Sequence, residues 1–115
     1  MGDIPRTEAT APLFTGNVGR QAILNAEDSA NFNFGIVAFP AGIRNKFHKH
    51  SGDQILIVTE GTGKVASDTE TLEVTEGDVI LIPAGENHWH GAPDNTAMAH
   101  ITITVKGSST EQTEA

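Results

Sequence analysis

The stretch Gly42-Ile-Arg-Asn-Lys-Phe-His48-Lys-His50-Ser-Gly-Asp-Gln54 carries two histidines two positions apart and an amide four positions further on. Alternate side chains of a strand project from one face. A strand through His48 and His50 therefore aims both imidazoles at a single point. A second stretch, Gly77-Asp-Val-Ile-Leu-Ile-Pro83-Ala-Gly85-Glu-Asn-His88, ends in a third imidazole that a neighbouring strand can aim at the same place. Three neutral imidazoles and one amide oxygen suit a divalent metal ion. The expected ligands are His48, His50, Gln54 and His88.

Outward from these segments, the chain has 115 residues, enough for one domain with a real core. It has no cysteine, which excludes disulfides and thiolate metal sites. Its formal charge of -8 opposes binding to nucleic acid or anionic membranes and suits a soluble surface. No apolar run reaches membrane-spanning length, and the N-terminus lacks a basic-then-apolar signal pattern. A cytoplasmic location is the expectation.

Residues 1–12 hold two prolines among scattered polar residues and read as a flexible arm. Residues 107–115, rich in Ser, Thr and Glu, read as a disordered tail. The domain is expected over 13–106. Within it, β-like runs fall at 18–24, 32–39, 54–59, 64–67, 71–74, 79–82, 88–90 and 97–105, punctuated by glycines. No sustained helical period occurs. Many short strands imply an all-β sandwich or barrel. Ile55-Leu-Ile-Val58 and Val79-Ile-Leu-Ile82 are apolar on both faces, so both are expected to be covered on both sides, with a partner subunit able to supply the outer cover. In the last run Met98, His100, Thr102 and Thr104 share one face; periodicity alone does not say whether it points inward.

The two segments resemble the paired motifs of the cupin superfamily. Gly42, His48, His50 and Gly61 occupy the first motif, with Gln54 where the family usually has Glu. Gly77, Pro83, Gly85 and His88 occupy the second, with Ala92 where Asn is usual. The resemblance implies a jelly-roll-like antiparallel β-barrel with a metal inside. A narrower likeness rests on His88-Trp-His90-Gly-Ala, Thr96-Ala-Met98-Ala-His100, Gln54 and Phe14-Thr-Gly16. These are similar to the small bacterial cupins that include manganese-dependent hydroxynitrile lyases. Manganese is the metal this likeness favours; Fe, Zn, Co and Ni remain open on the ligands alone. A homodimer or higher homo-oligomer is expected by resemblance.

Gln in place of Glu removes one negative charge from the ligand set. The cation keeps more of its charge, which strengthens Lewis-acid polarisation and loosens its retention. His90 lies two positions after His88, and His100 shares a face with two threonines; these two are the candidate catalytic bases. Trp89 is expected to pack on the opposite side, Phe32, Phe34 and Phe39 to be core, and Arg44 and Lys46 to be solvated near the mouth. Asp53 receives no role. Three functions follow for a small-molecule substrate. The first is a lyase that cleaves or forms cyanohydrins. The second is an iron-dependent dioxygenase. The third is a non-catalytic cupin that binds a small ligand.

Overall fold

The computed structural model describes residues 7–9, 13–22 and 31–115, with side chains from 13–21 and 31–115. Ten strands run in order: β1 (Thr7–Ala9), β2 (Val18–Ala22), β3 (Phe32–Phe39), β4 (His48–His50) and β5 (Gln54–Ser67). β6 (Thr71–Thr75), β7 (Val79–Ile82), β8 (His88–Gly91), β9 (Met98–Val105) and β10 (Thr110–Gln112) complete them. Every pairing among them is antiparallel. The sheet runs β1-β2-β3-β9-β5-β8-β4-β10, with β6 and β7 also on β5.

β5 is the spine of this curled sheet. Its first half pairs with β9 and β7, and its second half with β8 and β6. A register shift between Val58 and Glu60 bends it where it passes from one group of partners to the other. Two strands were expected here, at 54–59 and 64–67, with Gly61 and Gly63 as punctuation. One 14-residue strand forms instead. Gly61 adopts φ +71° with Ala97 O where a Cβ would stand, so this glycine turns the strand rather than ending it.

The core lies inside the curl and includes Val18, Val37, Phe39, Leu56, Val58, Val65, Val74, Ile82 and Met98. The inner face of β9 carries Met98 and His100, both buried, and Thr102. That settles the orientation that periodicity left open.

Three expectations need correction. The 107–115 tail is not without structure: β10 pairs with β4. Its polar side chains suit an edge strand, where backbone pairing and not burial supplies the contacts. Within the arm at 1–12, Thr7–Ala9 pairs with β2, while 1–6 and 10–12 lie outside the described residues, as do 23–24 of the run expected at 18–24. Within the single chain β7 is covered on its inner face only, with Val79 and Leu81 66% and 60% exposed on the side where a partner subunit was the expected cover; Phe32, expected in the core, is 48% exposed.

The registers join Val79 and Leu81 to a larger surface. Phe34, Ile103, Ile55 and Leu81 form one row across β3, β9, β5 and β7; Ile36, Ile101, Ile57 and Val79 form the next. Their neighbours along each strand alternate into the core.

Candidate metal centre

β4 and β8 meet at one pair, His48 opposite His88, which places the two ligand segments side by side. The rings of His48 and His88 are 4.3 Å apart, those of His48 and His50 4.9 Å and those of His50 and His88 5.3 Å. One nitrogen from each of the three lies within 4.8 Å of the other two.

Each ring is turned by its other nitrogen. His48 Nδ1–H donates to Lys46 O at 2.6 Å and His88 Nδ1–H to Glu86 O at 2.9 Å. His50 Nδ1 meets Thr110 Oγ1 at 2.9 Å. These contacts leave Nε2 of each ring as the free lone pair, the arrangement metal-binding imidazoles require. Gln54 is oriented likewise: its Nε2 donates to Thr102 Oγ1 at 2.7 Å, which turns Oε1 toward the histidine cluster.

Two observations test this set against a cation. His50 Nε2 is buried with no hydrogen-bond partner, an expensive condition unless something accepts its lone pair. His88 Nε2 stands 3.1 Å from Gln54 Oε1. Both atoms are acceptors once His88 carries its proton on Nδ1, so they cannot bond to each other. Two ligands of one ion can stand this close with no hydrogen bond between them, so the contact fits a pair of donors that would share a cation. The residues fit a divalent metal.

Burial keeps the rings neutral, as ligation demands. It lowers His48 to about 4, against the opposing hydrogen bond to Lys46, and lowers His50 and His88 as well.

His90 and His100 form a second cluster against the first. The His90 ring stacks on His88 with centroids 5.7 Å apart and a 15° angle. Phe39 packs edge-on to His90 at 5.7 Å. Asn45, a buried residue to which the sequence reading gave no role, fixes the direction of the hydrogen bonds. Its Oδ1 accepts the His90 backbone N–H at 2.8 Å, so its Nδ2 must donate to His90 Nε2 at 3.1 Å. The His90 proton is then on Nδ1, donated to His100 Nε2 at 2.9 Å. His100 Nδ1–H in turn reaches Ile101 O at 3.3 Å. Burial pushes His90 well below its ordinary range and His100 to about 4. Gly91 permits this approach, since a Cβ there would overlap Arg44 and Ile43.

The six residues singled out from sequence thus meet in one buried region. Asn45, Thr102 and Thr110 complete it; Thr102 shares the strand face of His100, whereas neither Asn45 nor Thr110 carries a pattern in the sequence that marks it. Arg44 is not a free surface group: it lies 5.0 Å over Trp89 and holds Glu114 through two contacts of 3.0 and 2.9 Å. Asp53 Oδ1 accepts the Ala84 N–H at 2.9 Å.

The family model described as "Cupin domain" matches residues 35–104. The chain belongs to the cupin family. This cupin is 39% identical over 104 residues to an (R)-mandelonitrile lyase of Granulicella tundricola, covering 90% of this chain and 79% of the relative. It is 30% identical over 69 residues to an acireductone dioxygenase of a Sulfurihydrogenibium species, covering 54% of this cupin and 38% of that protein. A crystal structure of a cupin-like protein from Thermotoga maritima superposes with a TM-score of 0.89 at 31% identity, covering 100% of this chain and 90% of that one. Among the described residues of this cupin, no helix is long and apolar enough to cross a membrane.

Proposed function

We propose that this cupin is a divalent-metal-dependent lyase that cleaves and forms small cyanohydrins, with manganese as its metal. The observation that carries the reading is the convergence of His48, His50, His88 and Gln54 beside the hydrogen-bonded His90–His100 pair. The likeness to a mandelonitrile lyase over most of both chains supports it.

A bound cation held by His48, His50, His88 and Gln54 would supply Lewis-acid polarisation of the substrate oxygen. The chain's own part is proton movement among buried side chains. In cleavage the cyanohydrin hydroxyl loses its proton, the carbon–cyanide bond breaks, and cyanide leaves as hydrogen cyanide with an aldehyde remaining. His90 Nε2 receives the hydroxyl proton in place of the Asn45 contact, and the Nδ1 proton can pass to His100 Nε2. Burial makes an imidazolium here a strong acid, ready to return its proton to departing cyanide. Phe39 excludes water beside both rings.

Manganese-loaded protein mixed with mandelonitrile should release benzaldehyde, followed by its ultraviolet absorbance, and His100→Ala should abolish the release. No benzaldehyde above the protein-free rate with any divalent metal removes the lyase reading. The dioxygenase-named relative favours a second reading, oxygen chemistry on iron at the same donors. Oxygen uptake with Fe(II) but not Mn(II) would select it. Tight ligand binding without turnover under every metal would leave a binding cupin.

A further inference from the structure

We infer that the C-terminal segment from Ser108 to Glu114 is part of the metal centre, with Thr110 as the residue that positions His50. The inference rests on the metal-centre reading above and not on the lyase reading.

β4 carries two of the proposed ligands yet is only three residues long, and its pairing with β8 is a single residue pair. β10 supplies the rest. Thr110 lies opposite His50, Glu111 opposite Lys49 and Gln112 opposite His48. Contacts continue past both ends of the strand. Ser51 N–H donates to Ser109 O at 3.0 Å and Gly52 N–H to Ser108 Oγ at 3.1 Å. Thr113 N–H donates to Phe47 O at 2.9 Å, and Glu114 Oε1 accepts the Phe47 N–H at 2.9 Å. Glu114 also grips Arg44, whose guanidinium holds that carboxyl down at about 2. Thr113 Oγ1 donates to Asn87, next to the third ligand.

The Thr110 hydroxyl is the one contact that addresses a ligand ring. With Oγ1 as acceptor, the His50 proton is held on Nδ1 and the ring is fixed so that Nε2 faces His48 and His88. His48 and His88 are held by carbonyls within their own segments. His50 alone depends on a residue sixty positions away in sequence. Without that hydroxyl its ring can turn or change tautomer, and the ion loses a donor.

Manganese binding to the metal-free full-length chain, measured by calorimetry and by paramagnetic resonance of free Mn(II), tests the assignment. Thr110→Val keeps shape and strand preference but has no hydroxyl; affinity should fall about tenfold while the melting temperature of the metal-free protein stays unchanged. Thr110→Ser should restore wild-type affinity. By reciprocity, manganese should slow amide exchange at 108–114. Equal affinities for wild type and Thr110→Val overturn the role of Thr110. Unchanged exchange overturns the role of the segment. If the wild-type chain takes up no manganese or cobalt, this inference falls with the metal centre itself. A tenfold difference in a protein inactive on mandelonitrile leaves this inference standing and removes only the lyase.

Discussion

Acidification of the metal-free protein should destabilise it through its buried histidines. All five histidines are held below their ordinary value of 6.5, chiefly by burial. The unfolded chain then binds protons that the folded chain refuses. Stability is complete above pH 6.5, falls as pH drops, and levels off for His48 and His100 near their folded value of about 4. At pH 5 a group moved from 6.5 to about 4 contributes a loss of about 2 kcal/mol, so these two residues together remove about 4 kcal/mol. The other three histidines act in the same direction. A domain of this kind is stable by only about 5–15 kcal/mol, so the loss is a large share. Urea unfolding followed by the fluorescence of Trp89, the single tryptophan, should show the midpoint falling by about 2 M between pH 8 and pH 5, for a urea slope of about 2 kcal/mol/M. His100→Gln should reduce the loss by about 2 kcal/mol. A midpoint constant from pH 8 to pH 5 would refute the reasoning, because buried neutral imidazoles cannot leave it so.

Further outcomes follow from the site and the sheet. Gln54→Glu restores a carboxylate and should tighten manganese retention about tenfold or more, whereas Gln54→Ala should weaken it, both read by competition with a chelator. Asn45→Ala leaves the buried His90 N–H and Nε2 without partners and should cost about 2–4 kcal/mol in urea unfolding at pH 8; a loss below about 0.5 kcal/mol would contradict the network. The two apolar rows ending at Val79 and Leu81 are the face that the homo-oligomer expected from the family resemblance would cover. Light scattering should give twice the 12.1 kDa chain mass for the wild type and a single chain for Leu81→Lys; equal masses would remove the assignment.

The histidine cluster was far more legible in the sequence than the residues around it. His48, His50 and His88 could be read because strand periodicity converts spacing into direction, and the two glycine-bounded segments fixed the offsets. His100 shared its strand face with Thr102, and that face is the one that turns inward. Asn45 was invisible because a polar residue between Arg44 and Lys46 looks solvated; only the close approach of β8 at Gly91 buries it. The tail was misread for a related reason. Thr110–Gln112 gains its order from backbone pairing with β4, and composition reports burial, not pairing with a distant strand. Gly61 and Gly63 looked like strand ends because glycine serves both turns and bends, and sequence does not separate the two. The apolar run at β7 was correctly apolar on both faces, but half of it faces out from a single chain.

The most direct measurement is the metal stoichiometry of protein stripped with chelator and reloaded with Mn(II), by elemental analysis after gel filtration, for the wild type and for His50→Ala and His88→Ala. One ion per wild-type chain, and essentially none in either variant, is the expected result. Retention of the ion by both variants, or none in the wild type, would contradict a centre built on these imidazoles.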